Sequence, residues 1–391
     1  MAILNLENSA CKKLCLKTIK VSPNSESSKM SLIKCETIIP KFLQVFLFLT
    51  GLIEMNIKNK RYKKAPVIFG ALLLFANMDN LAILFVGIKH LESLQSFIAY
   101  VFTYTLAALL WFIMHLRRKK LTDLLYKFQK LSISTHYAMV NLLTAILCCM
   151  PFVFAAIILI LVSENHATFF TYGYAVKEQW LQIVIIYIKN CIYTFIFPTF
   201  PNLVALFYCA TCIRSSYLIK LLSDEIVRCS PHSFTSSKRI KIVRQKSKID
   251  DILDSIQDIF SLPSFIIIIL NLAACFSLLG LYLDMTSMQA RGVIFIVEWA
   301  LYAGNAIAGL VLTLWIAGYV PIEDSRFKEE FYKKMKMRML LLGLSEEMEL
   351  EKWIITRPEF AFTGWNILSY RRSSVFALVG TLLTYTFLVV R

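Results

Sequence analysis

Residues 249–283 read IDDILDSIQDIFSLPSFIIIILNLAACFSLLGLYL, and two patterns meet in them. In the first part Ile249, Ile252, Leu253, Ile256, Ile259 and Phe260 recur at three- and four-residue steps, while Asp250, Asp251, Asp254 and Asp258 take the other face. That is the periodicity of an amphipathic helix. From Leu262 to Leu283 the chain is mostly apolar, and about 20 such residues span a bilayer as a helix. The stretch reads as one helix that leaves a membrane and continues into water. Six further runs share the second character: Pro66 to Ile88, Phe97 to Leu116, Asn141 to Val162, Leu181 to Tyr208, Val293 to Gly318 and Ser373 to Val390. The predicted fold is an all-α membrane protein with seven transmembrane helices.

The cations orient it. Of 42 Lys and Arg residues, 37 lie in alternate gaps: 12 before the first run, 6 after the second, 9 after the fourth and 10 after the sixth. Lys89, Lys177, Arg291 and Arg391 are in the remaining gaps and the carboxyl end, and Lys189 is inside the fourth run. Because Lys and Arg flanking spans stay on the cytoplasmic side, the amino terminus is expected inside and the carboxyl terminus outside. That orientation is the reverse of a G-protein-coupled receptor. The expected organisation is residues 1–65 as a cytoplasmic tail with a short interfacial helix, then 66–318 as six spans with a cytoplasmic helical extension at 210–261. Residues 319–372 form a cytoplasmic anchor segment and 373–391 the last span.

The short helix is Phe42 to Ile53, apolar but only about twelve residues long and so short for a crossing. Phe327 to Leu342 is charged and helix-favouring, with Glu329 before Lys333 and Glu330 before Lys334 in the favourable i to i+4 order. Together with the stripe at 249–260 it predicts a helical bundle beneath the membrane.

A 57% hydrophobic and 17% charged composition exceeds what a soluble chain carries. The +16 formal charge borders spans rather than forming a basic domain with stacking aromatics, which argues against nucleic acid and for anionic lipid headgroups as partners. The first forty residues hold scattered lysines and no continuous apolar core, so no cleavable signal is expected. None of the ten cysteines lies in a predicted outer loop, and no disulfide framework is expected. Cys209-Ala-Thr-Cys212 has metal-ligand spacing without a second pair to complete four-coordination; a small-residue helix end open to palmitoylation fits it better. A phosphate loop, a His-Glu-x-x-His helix and a Gly-x-Ser-x-Gly elbow are all missing. No enzyme and no cofactor are expected.

Charge inside a span costs about 2.5–3.5 kcal/mol on insertion scales unless compensated. Asp79, Lys189 and Glu298 sit about nine, eight and five residues from the outer ends of their runs, at similar depth. Asn80, Asn190, Asn271 and Asn305 add polar groups, and Tyr172, Tyr174, Tyr187 and Trp299 lie near. Two readings stand: charges paired to fix helix packing, or an outward-open polar cavity for a small ligand in which Asp79, Lys189, Asn271, Glu298 and Trp299 are the candidate contacts.

The last run carries Ser374, Ala377, Thr381, Thr384, Leu388 and Arg391 on one face. Such a stripe serves as a helix-packing seam, or as a pore wall if several subunits bring it to a common axis, with Leu388 as an apolar constriction. Here the sequence resembles the insect and wider arthropod gustatory receptors, relatives of the odorant receptors. The resemblance is carried by Phe362-Thr363-Gly364-Trp365, Arg371-Arg372-Ser373-Ser374, Gly380 and Thr384-Tyr385-Thr386-Phe387-Leu388-Val389-Val390. The family's closing signature is Thr-Tyr, apolar residues, then Gln-Phe; Arg391 stands where Gln is expected, and no Phe follows.

The resemblance implies a ligand-gated, non-selective cation channel of the plasma membrane that detects small-molecule tastants. It implies a tetramer, homomeric or mixed with related receptors. Its pore would be lined by Ser374, Ala377, Thr381, Thr384, Tyr385, Leu388 and Arg391. Two alternatives are a G-protein-coupled receptor, whose Asp-Arg-Tyr and Asn-Pro-x-x-Tyr signatures the chain lacks, and a small-solute transporter.

Overall fold

Backbone groups entering hydrocarbon find no water to bond, so an apolar run of this length closes its hydrogen bonds along itself as a helix. The computed structural model describes residues 41–54, 64–87, 94–131, 138–161, 170–172, 174, 176, 178–283, 285–342 and 358–390, except the side chains of 84–100, 130, 280–295 and 385–390. All of them belong to one unit, Cys35–Arg391. In chain order the helices are α1 (Lys41–Leu49), α2 (Ala65–Gly87), α3 (Leu94–Leu116), α4 (Arg118–Lys130), α5 (Ala138–Leu161), α6 (Gln179–Thr194), α7 (Phe200–Arg228), α8 (Ser236–Leu283), α9 (Met285–Ala317), α10 (Tyr319–Leu342) and α11 (Arg372–Val390). Two short strands, β1 (Thr363–Gly364) and β2 (Leu368–Ser369), precede α11. Among the described residues, Ala65–Ile83, Ala138–Leu161, Gln179–Arg228, Ser236–Leu279 and Ile296–Leu341 are long and apolar enough to cross a membrane, while Val101–Leu116 and Arg372–Thr384 are shorter apolar helices.

The run Leu181 to Tyr208, expected as one span, is interrupted within its length. A π turn at Phe195–Thr199 separates α6 from α7, and Phe197 leaves helical geometry with φ −144° and ψ 125°. Pro198 supplies the reason: its ring removes a backbone donor and collides with the carbonyl four residues back. A hydropathy reading sees only that the stretch is apolar.

α8 joins the membrane-like and charged parts. At 48 residues it is about 72 Å long, against about 30 Å of hydrocarbon, so its charged half must project beyond. α3, α4, α7, α9, β1 and α11 all pack on it. Pro263 sits within it without breaking it. The Ile259 carbonyl that a proline at 263 cannot bond is taken by Arg117 Nη1 at 2.8 Å, which also bonds Asp258 O at 2.6 Å.

At the charged end Ile249, Ile252, Leu253, Ile256, Ile259 and Phe260 are all buried. Asp250, expected on the solvated face, is buried as well. It pairs with Lys246 one turn earlier on α8, whose ammonium also meets Asp324 of α10 at 2.7 Å, while Lys328 reaches the other oxygen of Asp324 at 3.3 Å. Lys333 pairs with Glu329 as expected. Lys334 instead donates to the carbonyls of Val227 and Cys229 at 3.2 and 2.8 Å, capping the end of α7 where unbonded carbonyls collect. Cys209 and Cys212 are buried in α7, which corrects the expectation of a helix end open to palmitoylation.

The β1–β2 hairpin is fastened to α8. Thr363 and the Gln257 amide exchange hydrogen bonds, the Trp365 amide donates to Ser261, and the Tyr370 hydroxyl meets Ser264 at 2.8 Å. The chain then enters α11 beside Gly318, where a Cβ would lie 2.8 Å from the Arg372 nitrogen. The Arg372 guanidinium covers the Trp315 and Tyr319 rings at 4.6 and 5.1 Å.

Lys246→Met leaves buried Asp250 and Asp324 facing an apolar side chain, a change that costs about 3–5 kcal/mol; thermal unfolding of the purified protein is the measurement. Burial works against the Asp324 charge, but Lys246 and Lys328 hold its carboxyl below its ordinary range. Its contribution is therefore fully present above about pH 4 and is lost as pH falls through the lowered folded pKa. In Lys246→Met, acid should reduce stability less steeply than in the parent.

Candidate functional site

Asp79 on α2 and Lys189 on α6 are brought together: Lys189 Nζ lies 3.0 Å from Asp79 Oδ1, with the side chains 10% and 1% exposed. Each charge removes most of the cost of burying the other. Tyr172, from the segment joining α5 to α6, donates its hydroxyl to the same carboxylate oxygen. The Lys189 ammonium stands 4.1 Å from the centre of its ring, within cation–π range. Burial, then the hydrogen bond to Asp79, pushes the Tyr172 phenol up to about 12, so it remains a donor near neutral pH. Asp79 Oδ2 and both amide atoms of Asn80 are buried without a hydrogen-bond partner. Asn190 turns back to the Ile186 carbonyl at 3.0 Å. Tyr174 is exposed and Tyr187 half-buried.

The other candidates belong to different contacts. Trp299 donates to the Leu278 carbonyl at 3.1 Å, tying α9 to α8, and Glu298 is half-buried beside it. Asn271 forms a second polar cluster with two residues of α7 and α9. Asn202 donates to Asn305 Oδ1 at 3.1 Å, and a Cβ on Gly309 would stand 2.9 Å from both Asn202 Oδ1 and Asn271 Nδ2. A side chain at 309 would require these amide ends to shift. Asn202 is a site residue the sequence did not single out; its signal was an amide directly after Pro201 in a mostly apolar run. Phe197, displaced by the π turn, stacks on Tyr302 of α9 at 5.9 Å and 11°, linking the break to the helix that carries Asn305.

On α11, Val375 is buried and Leu378 and Leu382 are half-buried, in a helix that packs on α8 and α9. Ser374 is half-buried, while Ala377, Thr381 and Thr384 are exposed. The two threonine hydroxyls bond back into their own helix, to Ala377 O at 3.0 Å and Gly380 O at 2.9 Å. Within one chain the seam is made by Val375, Leu378 and Leu382, while Phe376, Val379 and Leu383 are exposed along with the threonines. The side chains of Tyr385, Leu388 and Arg391 lie outside the described residues.

No family model and no curated protein sequence matches the chain. Solved structures do: the insect olfactory receptor OR5 from Machilis hrabei superimposes with a TM-score of 0.66 at 14% identity, covering 90% of this chain and 97% of that one. The same receptor in complex with eugenol gives 0.63 at 14% identity, with 89% and 96% covered. The fold of this chain is therefore that of an insect olfactory receptor, over nearly the whole length of both.

Lys189→Met should strand a carboxylate that is 1% exposed and lower stability by about 3–5 kcal/mol, whereas adding Asp79→Asn should recover most of the loss. Thermal unfolding of the single and double variants in detergent checks both, and equal midpoints for parent and Lys189→Met would show that the pair holds nothing together.

Proposed function

We propose that this chain is a gustatory chemoreceptor working as a ligand-gated, non-selective cation channel. The observation that carries the reading is α11. Its Val375, Leu378 and Leu382 pack on its own subunit and its threonines are exposed, in a chain with an insect olfactory-receptor fold. Four copies would place Ser374, Ala377, Thr381, Thr384, Tyr385, Leu388 and Arg391 around an axis, where hydroxyls can contact ions and Leu388 can close the passage by dewetting. The amino terminus and the charged half of α8 would be cytoplasmic, with α10 as the anchor of the assembly. Asp79, Lys189 and Tyr172 would then stand near the outer surface of a plasma-membrane protein, where a small molecule arrives. Asn271, Glu298 and Trp299 would contribute to the same response from the wall between α8 and α9. A complex of the similar receptor with eugenol supports a small, uncharged organic ligand here.

The experiment is to express the chain alone, tag both ends and record current under a panel of small tastants. Only the carboxyl-terminal tag should be reachable by antibody in intact cells. Leu388→Ser should conduct without ligand, and thiol reagents should block current through Thr381→Cys and Thr384→Cys. Arg391→Gln should raise cation conductance most at low ionic strength, because charge at a mouth acts through space and salt screens it. An antibody-accessible amino-terminal tag, or cysteine variants indifferent to the reagent, would overturn the proposal.

A further inference from the structure

The Asp79–Lys189 pair already holds a phenol, and the phenol belongs to the protein. Tyr172 is not part of a span but of the segment between α5 and α6, and it adopts φ 56°. For a residue with a Cβ that conformation costs about 1–2 kcal/mol, so the contact that holds the side chain must outweigh it. One end of the side chain is a hydroxyl donating to Asp79 Oδ1. The other is a ring face 4.1 Å below an ammonium. These are the two features by which any aryl hydroxyl would be recognised: an acceptor for its O–H and a cation for its π face.

The pair also retains unmet capacity. Asp79 Oδ2 is buried and unpartnered, and so is the neighbouring Asn80 amide. Asp79 and Lys189 together sum to zero charge, so a neutral guest preserves the balance while an ionic one leaves a buried charge uncompensated. The backbone strain at Tyr172 adds to what a guest replacing its side chain would relieve.

We infer that Tyr172 is a tethered occupant of the ligand position, and that the ligand is a small neutral aromatic molecule carrying a hydroxyl, which binds by displacing the Tyr172 side chain from Asp79 and Lys189. This rests on the ligand-gated reading above and names the chemistry of its site.

The test uses phenol and its methyl ether anisole, which share a ring and differ in the donor. Binding to the full-length protein in nanodiscs is read from the shift in thermal unfolding midpoint, which needs no current. Phenol should raise the midpoint of the parent and anisole should not. In Tyr172→Ala the tethered competitor is gone and a ring-sized space stands beside the pair. The phenol concentration giving half the shift should therefore fall by about tenfold or more, the worth of one hydrogen bond to a charged group.

Tyr172→Phe keeps the ring and loses the donor. It should show a smaller gain in the same direction, and it serves if Tyr172→Ala does not fold. Phenol and anisole acting alike on the parent, or phenol acting equally on the parent and both variants, would overturn the inference. If phenol binds as described while no current flows, the site assignment stands and the channel reading fails.

Discussion

One helix must satisfy two solvents. α8 needs an apolar surface where it crosses hydrocarbon and a one-sided apolar stripe where it stands in water, and its backbone ladder has to survive the change between them. The transition falls around Asp258 to Phe265. There Pro263 takes away a donor, and Arg117 from the α3–α4 junction restores a partner to the Ile259 carbonyl. The guanidinium sits where the chain's charged region meets its apolar one, a position that suits a long cationic side chain whose stem is apolar. Because α3, α4, α7, α9, the hairpin and α11 all rest on α8, the alignment of the apolar bundle with the charged one depends on that rod remaining continuous.

The sequence announced this rod because its two periodicities adjoin without a turn signal between them. It announced Asp79 and Lys189 equally well: charge in an apolar run is expensive, and two opposite charges at matching depth have an obvious solution in each other. What stayed hidden followed from three-dimensional neighbours. Asp250 lies on the polar side of its helix by periodicity, yet it is buried because Lys246 lies between it and Asp324 of α10, whose proximity no local pattern encodes. The break at Phe195–Thr199 had a written signal in Pro198. Hydropathy averages over it, since proline is apolar enough to pass for a membrane residue.

Asn202 and Gly309 illustrate a different limit. An amide in one apolar run and a glycine in another are each unremarkable, and they acquire meaning only when α7, α8 and α9 meet at one level. On α11 the pattern of small and polar residues was plain, but which face would be covered was not. A stripe of alternating character is symmetrical as evidence. Only the packing of Val375, Leu378 and Leu382 toward α8 and α9 shows that the threonines are left uncovered.

The hairpin before α11 is tied to Gln257, Ser261 and Ser264 of α8. These positions are spaced by four and three residues and so share one helix face. A tie of this kind tolerates change of composition far better than change of count. Any one of the three bonds can be lost while the others hold the register. Inserting or deleting a single residue between 257 and 264 rotates the far contact by about 100° around the helix axis, and no side-chain replacement on the hairpin can follow it. Along this part of the chain, length is more constrained than chemistry.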